Sequence, residues 1–65
     1  MGTELWVERG WTASKTCTVI LLEGAAYVRY NDGHESALEI RQEVALEEGN
    51  EIWSVQGCKI EVEDS

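Results

Sequence analysis

Ser36-Ala37-Leu38-Glu39-Ile40-Arg41-Gln42-Glu43-Val44-Ala45-Leu46-Glu47 repeats with a period of two. Leu38, Ile40, Val44 and Leu46 fall on one face; Glu39, Arg41, Glu43 and Glu47 fall on the other. That alternation belongs to a half-buried strand, because a helix brings its apolar positions round every three to four residues. Cys58-Lys59-Ile60-Glu61-Val62-Glu63 alternates in the same way. Outward from these segments, Thr16–Leu22 and Ala25–Tyr30 are rich in the β-branched and aromatic residues that suit a pleated surface. Leu5–Val7 is a shorter first strand. Arg9-Gly10, Glu23-Gly24, Asn31-Asp32-Gly33, Glu48-Gly49-Asn50 and Gln56-Gly57 punctuate the runs, each with a glycine able to take positive φ. The fold predicted is all-β: a small antiparallel meander closing into a five- or six-stranded barrel or sandwich. Its connections are too short for parallel crossovers. The whole chain, 1–65, is expected to be a single domain of 7.3 kDa.

Cross-strand partners must share a face, so each turn predicts a register. Gly49-Asn50 as a two-residue turn sets Leu46 opposite Trp53 and Val44 opposite Val55. Gln56-Gly57 sets Val55 opposite Cys58 and Trp53 opposite Ile60. Asn31-Asp32-Gly33 as a three-residue loop with glycine in the left-handed position pairs Arg29 with Glu35 and Ala26 with Leu38. Glu23-Gly24 as a hairpin turn places Val19 against Val28 and Leu21 against Ala26. Cys17, Val19, Leu21, Ala26 and Val28 then point inward, and Trp53 joins the core. Ile20, Leu22 and Tyr27 collect on the opposite face, with Trp6 in reach of them. A single small sheet should be polar on its solvent side. An apolar second face is therefore expected to meet another chain or to be covered by the sheet's own curl.

The charge is distributed unevenly. Thirteen acidic residues oppose five basic ones, for a net of −8. Residues 1–34 carry a net of −1 and residues 35–65 a net of −7. Nucleic-acid binding draws its affinity from clustered Lys and Arg that release counterions. No two basic residues here lie within five positions of each other. Direct binding to nucleic acid and to anionic membranes is not expected, whereas a basic protein surface is attracted. The longest uncharged apolar run, Val19–Leu22, is far too short to span a bilayer. No basic-then-apolar leader opens the chain, and the expected location is cytoplasmic.

Chemistry-bearing residues are few. Cys17 and Cys58 both have inward parity and are read as buried free thiols. The alternative disulfide would close a loop of about forty residues and add roughly 4 kcal/mol. His34 is the one histidine. It stands beside Asp32 and Glu35, the kind of neighbours that serve acid–base catalysis, but no serine or cysteine is placed beside it as a nucleophile. Glu47, Glu48 and Glu51 around Gly49-Asn50 lack the alternating Asp/Asn pattern of a calcium loop. No catalytic residue, cofactor or metal ligand is expected, and the chain is not read as an enzyme.

Glu39-Ile40-Arg41-Gln42-Glu43-Val44-Ala45-Leu46-Glu47-Glu48-Gly49-Asn50-Glu51-Ile52 resembles the centre of the swapped-hairpin domains of transition-state regulators and antitoxins. Those carry a similar Glu-Ile-Arg stretch followed by a Leu-x-x-Gly-Asp-x-Val turn and strand. The resemblance covers about fourteen residues and implies a DNA-linked regulator with a helical Glu-Ile-Arg segment. The basic DNA-facing strand of that family has no counterpart in Gly33-His34-Glu35-Ser36-Ala37.

The function expected is a protein–protein interaction or oligomerisation module. In a sharper form it is an acidic inhibitor or nucleic-acid mimic. Its expected partners are another protein with a basic surface and a second copy of the chain. The residues expected to carry binding are Trp6, Ile20, Leu22 and Tyr27 at the centre, with Glu43, Glu47 and Glu61 as acidic rim.

Overall fold

The computed structural model describes residues 2–64. Among them are eight strands and no helix: β1 (Thr3–Val7), β2 (Gly10–Thr12), β3 (Cys17–Gly24), β4 (Ala26–Arg29), β5 (Glu35–Leu38), β6 (Glu43–Leu46), β7 (Glu51–Trp53) and β8 (Cys58–Asp64). They build two four-stranded antiparallel sheets, β1-β8-β3-β6 and β2-β7-β4-β5, neither of which closes on itself. Among the described residues no helix is long and apolar enough to cross a membrane.

The predicted meander of five or six strands is corrected here. β4 and β5 are the one pair of successive strands that hydrogen-bond to each other; every other connection carries the chain from one sheet to the other. The Asn31-Asp32-Gly33 loop is the hairpin that the sequence reading predicts. Ala26 opposes Leu38 and Arg29 opposes Glu35. The Tyr30 N–H donates to the His34 carbonyl at 2.8 Å and Gly33 has φ 90. The three other predicted hairpins are corners. β3 pairs with β8 and β6 rather than β4, so Val19 opposes Val62 and Val44 and Leu21 opposes Ile60. β7 pairs with β4 and β2, so Trp53 opposes Tyr27 and Gly10 and meets neither Leu46 nor Ile60.

A corner and a hairpin use the same glycine at positive φ, and strand alternation runs through both. The inward face therefore survives the wrong partner assignment in β3, β4, β5, β6 and β8, though not in β7. Cys17, Val19, Leu21, Ala26, Val28, Leu38, Leu46, Cys58 and Ile60 are all buried, in one cluster that draws on both sheets. Ile52 joins them, fully buried. Each such Leu or Ile contributes about 1.5–3 kcal/mol by leaving water. Three predicted core positions fail. Ile40 is 51% exposed and Val55 is 67% exposed, and Trp53 is half-buried on the outer side of its sheet. Ile40 is lifted out by a turn in which the Gln42 N–H donates to the Glu39 carbonyl at 3.0 Å and Arg41 adopts φ 71. This turn stands where the resemblance to the swapped-hairpin domains implies helix.

Two buried polar side chains pin the corners at opposite ends: Ser54 (1% exposed) and Asn50 (4%). Ser54 Oγ donates to the Ala25 carbonyl at 2.6 Å and accepts the Gly57 N–H at 2.9 Å. This ties the β7–β8 corner to the β3–β4 corner. Asn50 Oδ1 accepts the Asn31 N–H at 3.1 Å, and the Asn50 carbonyl accepts the Ala13 N–H at 2.9 Å. At the Ser54 end the backbones meet closely: a Cβ on Gly24, which has φ +89, would lie 2.7 Å from the Gly57 carbonyl oxygen.

Two stability outcomes follow from these contacts, both measured by urea denaturation. Gly33→Ala should cost about 1–2 kcal/mol, since Gly33 has positive φ but open space around it. Gly24→Ala should cost clearly more, because it adds a backbone clash to the same dihedral penalty; equal costs would refute the close approach. Ser54→Ala should cost about 1–3 kcal/mol by stranding the Gly57 N–H and Ala25 carbonyl. A loss below about 0.5 kcal/mol would show that Ser54 does not hold the corner.

Candidate interaction surface

The β1-β8-β3-β6 sheet turns one face to the core and one outward. On the outer face, the register sets Glu4, Glu61, Ile20 and Glu43 in one row across all four strands. Neighbouring side chains in such a row stand about 4.5–5.5 Å apart. Three carboxylates and one isoleucine thus share a strip that crosses the sheet. Lys59 reaches Glu4 at 3.1 Å, an exposed pair that offsets part of the repulsion. Glu63, opposite Thr18, extends the acidic surface along β8.

Trp6 lies one step along, opposite Lys59. Its indole rests on Gly57, where a Cβ would come within 2.6 Å of the ring. The ring is nevertheless 54% exposed. Leu22 sits in the β-bulge that shifts the register between Leu21 and Glu23, and it is half-buried, as Ile20 is. Five of the seven expected binding residues (Trp6, Ile20, Leu22, Glu43 and Glu61) therefore share this face.

Tyr27 and Glu47 stand elsewhere. Tyr27 belongs to the other sheet, because the chain turns a corner at Gly24-Ala25 where a hairpin was expected. It stacks on Trp53 with ring centroids 5.4 Å apart at 27°. The Arg29 guanidinium lies 5.2 Å from the Trp53 ring centre and pairs with Glu35 at 2.9 Å and Glu51 at 3.3 Å. On that outer face one guanidinium thus serves two carboxylates, and the Trp53 indole N–H has no hydrogen-bond partner among the described residues.

Glu47 ends up on the rim of an open groove of about 670 Å³ at the Asn50 end of the molecule. There the β4–β5 hairpin leans across the end of β6. Tyr30, Asn31, Asp32 and His34 of the hairpin line the groove together with Glu47 and the buried Asn50. The hairpin is held rigidly: the His34 N–H donates to Asp32 Oδ1 at 2.9 Å and Asn31 Nδ2 donates to the Glu48 carbonyl at 3.1 Å. The Tyr30 and His34 rings are 5.9 Å apart and tilted by 59°. The sequence reading placed His34 beside Asp32 and Glu35 and Tyr30 at the end of a strand. That they line one groove with Glu47 had no local signal, because it depends on which corner abuts which.

Cys17 and Cys58 are buried free thiols. Through β8 they align with Asp64 and with the start of that strand, six residues apart, or roughly 20 Å. A disulfide needs Cα atoms within about 7 Å. Burial pushes both thiols above the ordinary range. At Cys17 the Asp64 carboxylate adds to this and Lys15 opposes it; at Cys58 a hydrogen bond with Ser54 opposes it. Among the described residues no group of three or more His, Cys, Asp and Glu is arranged to hold a metal ion.

Comparison with models of known protein families finds no match, and no curated protein matches the chain.

The raised thiols predict an alkaline signature. The unfolded chain releases its thiol protons from about pH 8.5, while the folded chain holds them to higher pH. The stability they contribute is complete below that pH and is lost as pH rises through the folded values. A Cys17→Ala, Cys58→Ala chain should lose stability less steeply between about pH 8 and pH 10 than the parent. Denaturation curves across that window decide the point, and equal slopes would refute it.

Proposed function

We propose that the chain is a non-enzymatic protein-interaction module that docks the outer face of β1-β8-β3-β6 on a basic protein surface. The row Glu4, Glu61, Ile20, Glu43 carries this reading, with Trp6 and Leu22 beside it. The carboxylates steer encounter and set specificity, and the apolar side chains supply the buried centre. A second copy fits this face poorly, since carboxylate would oppose carboxylate. In its sharper form the reading makes the face an inhibitor that mimics nucleic acid, its carboxylates standing where phosphates would enter a basic groove. The shared core of the two unclosed sheets is read as that of a face-to-face sandwich, which gives such a surface a rigid backing.

The test is capture from a lysate of the source at low salt, with the immobilised chain as bait. Expected partners carry Lys- and Arg-rich surfaces and elute as salt rises. Trp6→Ala and Glu61→Lys, checked for an intact melting transition, should each weaken capture about tenfold. Glu35→Gln, on the opposite sheet, should leave it unchanged. Partners retained equally by Trp6→Ala and Glu61→Lys would overturn the assignment of this face.

A further inference from the structure

We propose that the groove at the Asn50 end binds an organic cation: a guanidinium or primary ammonium head on a short carbon chain. The Tyr30 and His34 rings, 5.9 Å apart and tilted by 59°, form an angled aromatic wall. The Tyr30 ring presents a negative face to a cation, and both rings offer flat surface to its carbon chain. Asp32 and Glu47 bring two carboxylates to the same groove. Neither forms an ion pair among the described residues. The cations nearby in the chain are already engaged: Lys15, next to the groove-lining Thr16, is held by Asp64 at 3.1 Å, and Arg29 by Glu35 and Glu51. The groove's charge is thus left for a ligand from outside.

The walls are set in advance. Asn50 Oδ1 is committed to the Asn31 N–H and one Asp32 oxygen to the His34 N–H. A ligand therefore meets a turn whose backbone is already fixed, which limits the ordering lost on binding. Two carboxylates disfavour phosphates and other anions. The volume of about 670 Å³ lies within the range of small-molecule sites. Because none of Glu4, Trp6, Ile20, Leu22, Glu43 and Glu61 lines the groove, this inference and the proposed docking face can each fail without the other.

The experiment is a titration of the ¹⁵N-labelled chain at constant ionic strength, read by amide chemical shifts. One arm uses butylguanidinium and butylammonium, a second uses N-acetylarginine methylamide, and butanol serves as the neutral control. Saturable shifts are expected at Tyr30–His34 and Glu47–Asn50, with none for butanol. Glu47→Gln and Asp32→Asn should each weaken binding about two- to fivefold, as expected for solvent-exposed charge pairs. The asparagine keeps the oxygen that accepts the His34 N–H, so the turn is preserved. Tighter binding of the arginine derivative than of butylguanidinium supports the site with a protein side chain as its natural ligand. The reverse order supports it with a free small cation. Shifts that rise linearly, spread over Glu61 and Glu63, or persist unchanged in both variants would overturn the proposal.

Discussion

The structure depends on carrying one chain back and forth between two sheets through very short corners. Each crossing takes backbone N–H and carbonyl groups out of the strand ladders, and buried ones must find partners elsewhere. Ser54 and Asn50 provide them, one at each end. Ser54 bridges two corners with one hydroxyl, and Asn50 joins the β2–β3, β4–β5 and β6–β7 connections through its side chain and its own backbone. With the corners pinned, the apolar faces of both sheets meet in one cluster. A domain of this size has little core to spare, which gives two buried polar residues unusual weight.

The same crossings decide where charge gathers. Most of the carboxylates lie in the second half of the chain, yet the fold does not collect them in one place. β8 carries Glu61 and Glu63 to the middle of the sheet and β6 brings Glu43 to its edge, with Ile20 of β3 between them. Glu47, one residue beyond β6, is sent instead to the end groove. Glu51 and Glu35 are spent on Arg29. Three acidic environments result: an open face with an apolar centre, an aromatic groove, and a strip over the Trp53 stack where Arg29 offsets one of two carboxylates.

Much of this was legible in the chain. The period of two set strand in place of helix, and parity alone picked nine buried core residues, from Cys17 to Ile60. The Asn31-Asp32-Gly33 hairpin was legible down to its register, because a local loop of three residues with glycine last admits few geometries. Ile40 and Val55 misled because each continues an alternation past the end of its strand.

By itself, then, the sequence determined the all-β character, the inward faces of β3, β4, β5, β6 and β8, the one local hairpin and the surplus of acid. Those properties reside in neighbouring residues: alternation, side-chain shape and a glycine's freedom at positive φ. The tertiary structure alone decided which strands pair, that Tyr27 turns away from Ile20 and Leu22, and that Tyr30, His34 and Glu47 line one groove. A glycine that permits a hairpin also permits a corner, and the choice between them rests on contacts from distant parts of the chain. β8 claims both Leu5 and Leu21 through Ile60, and that pairing leaves β4 to the other sheet.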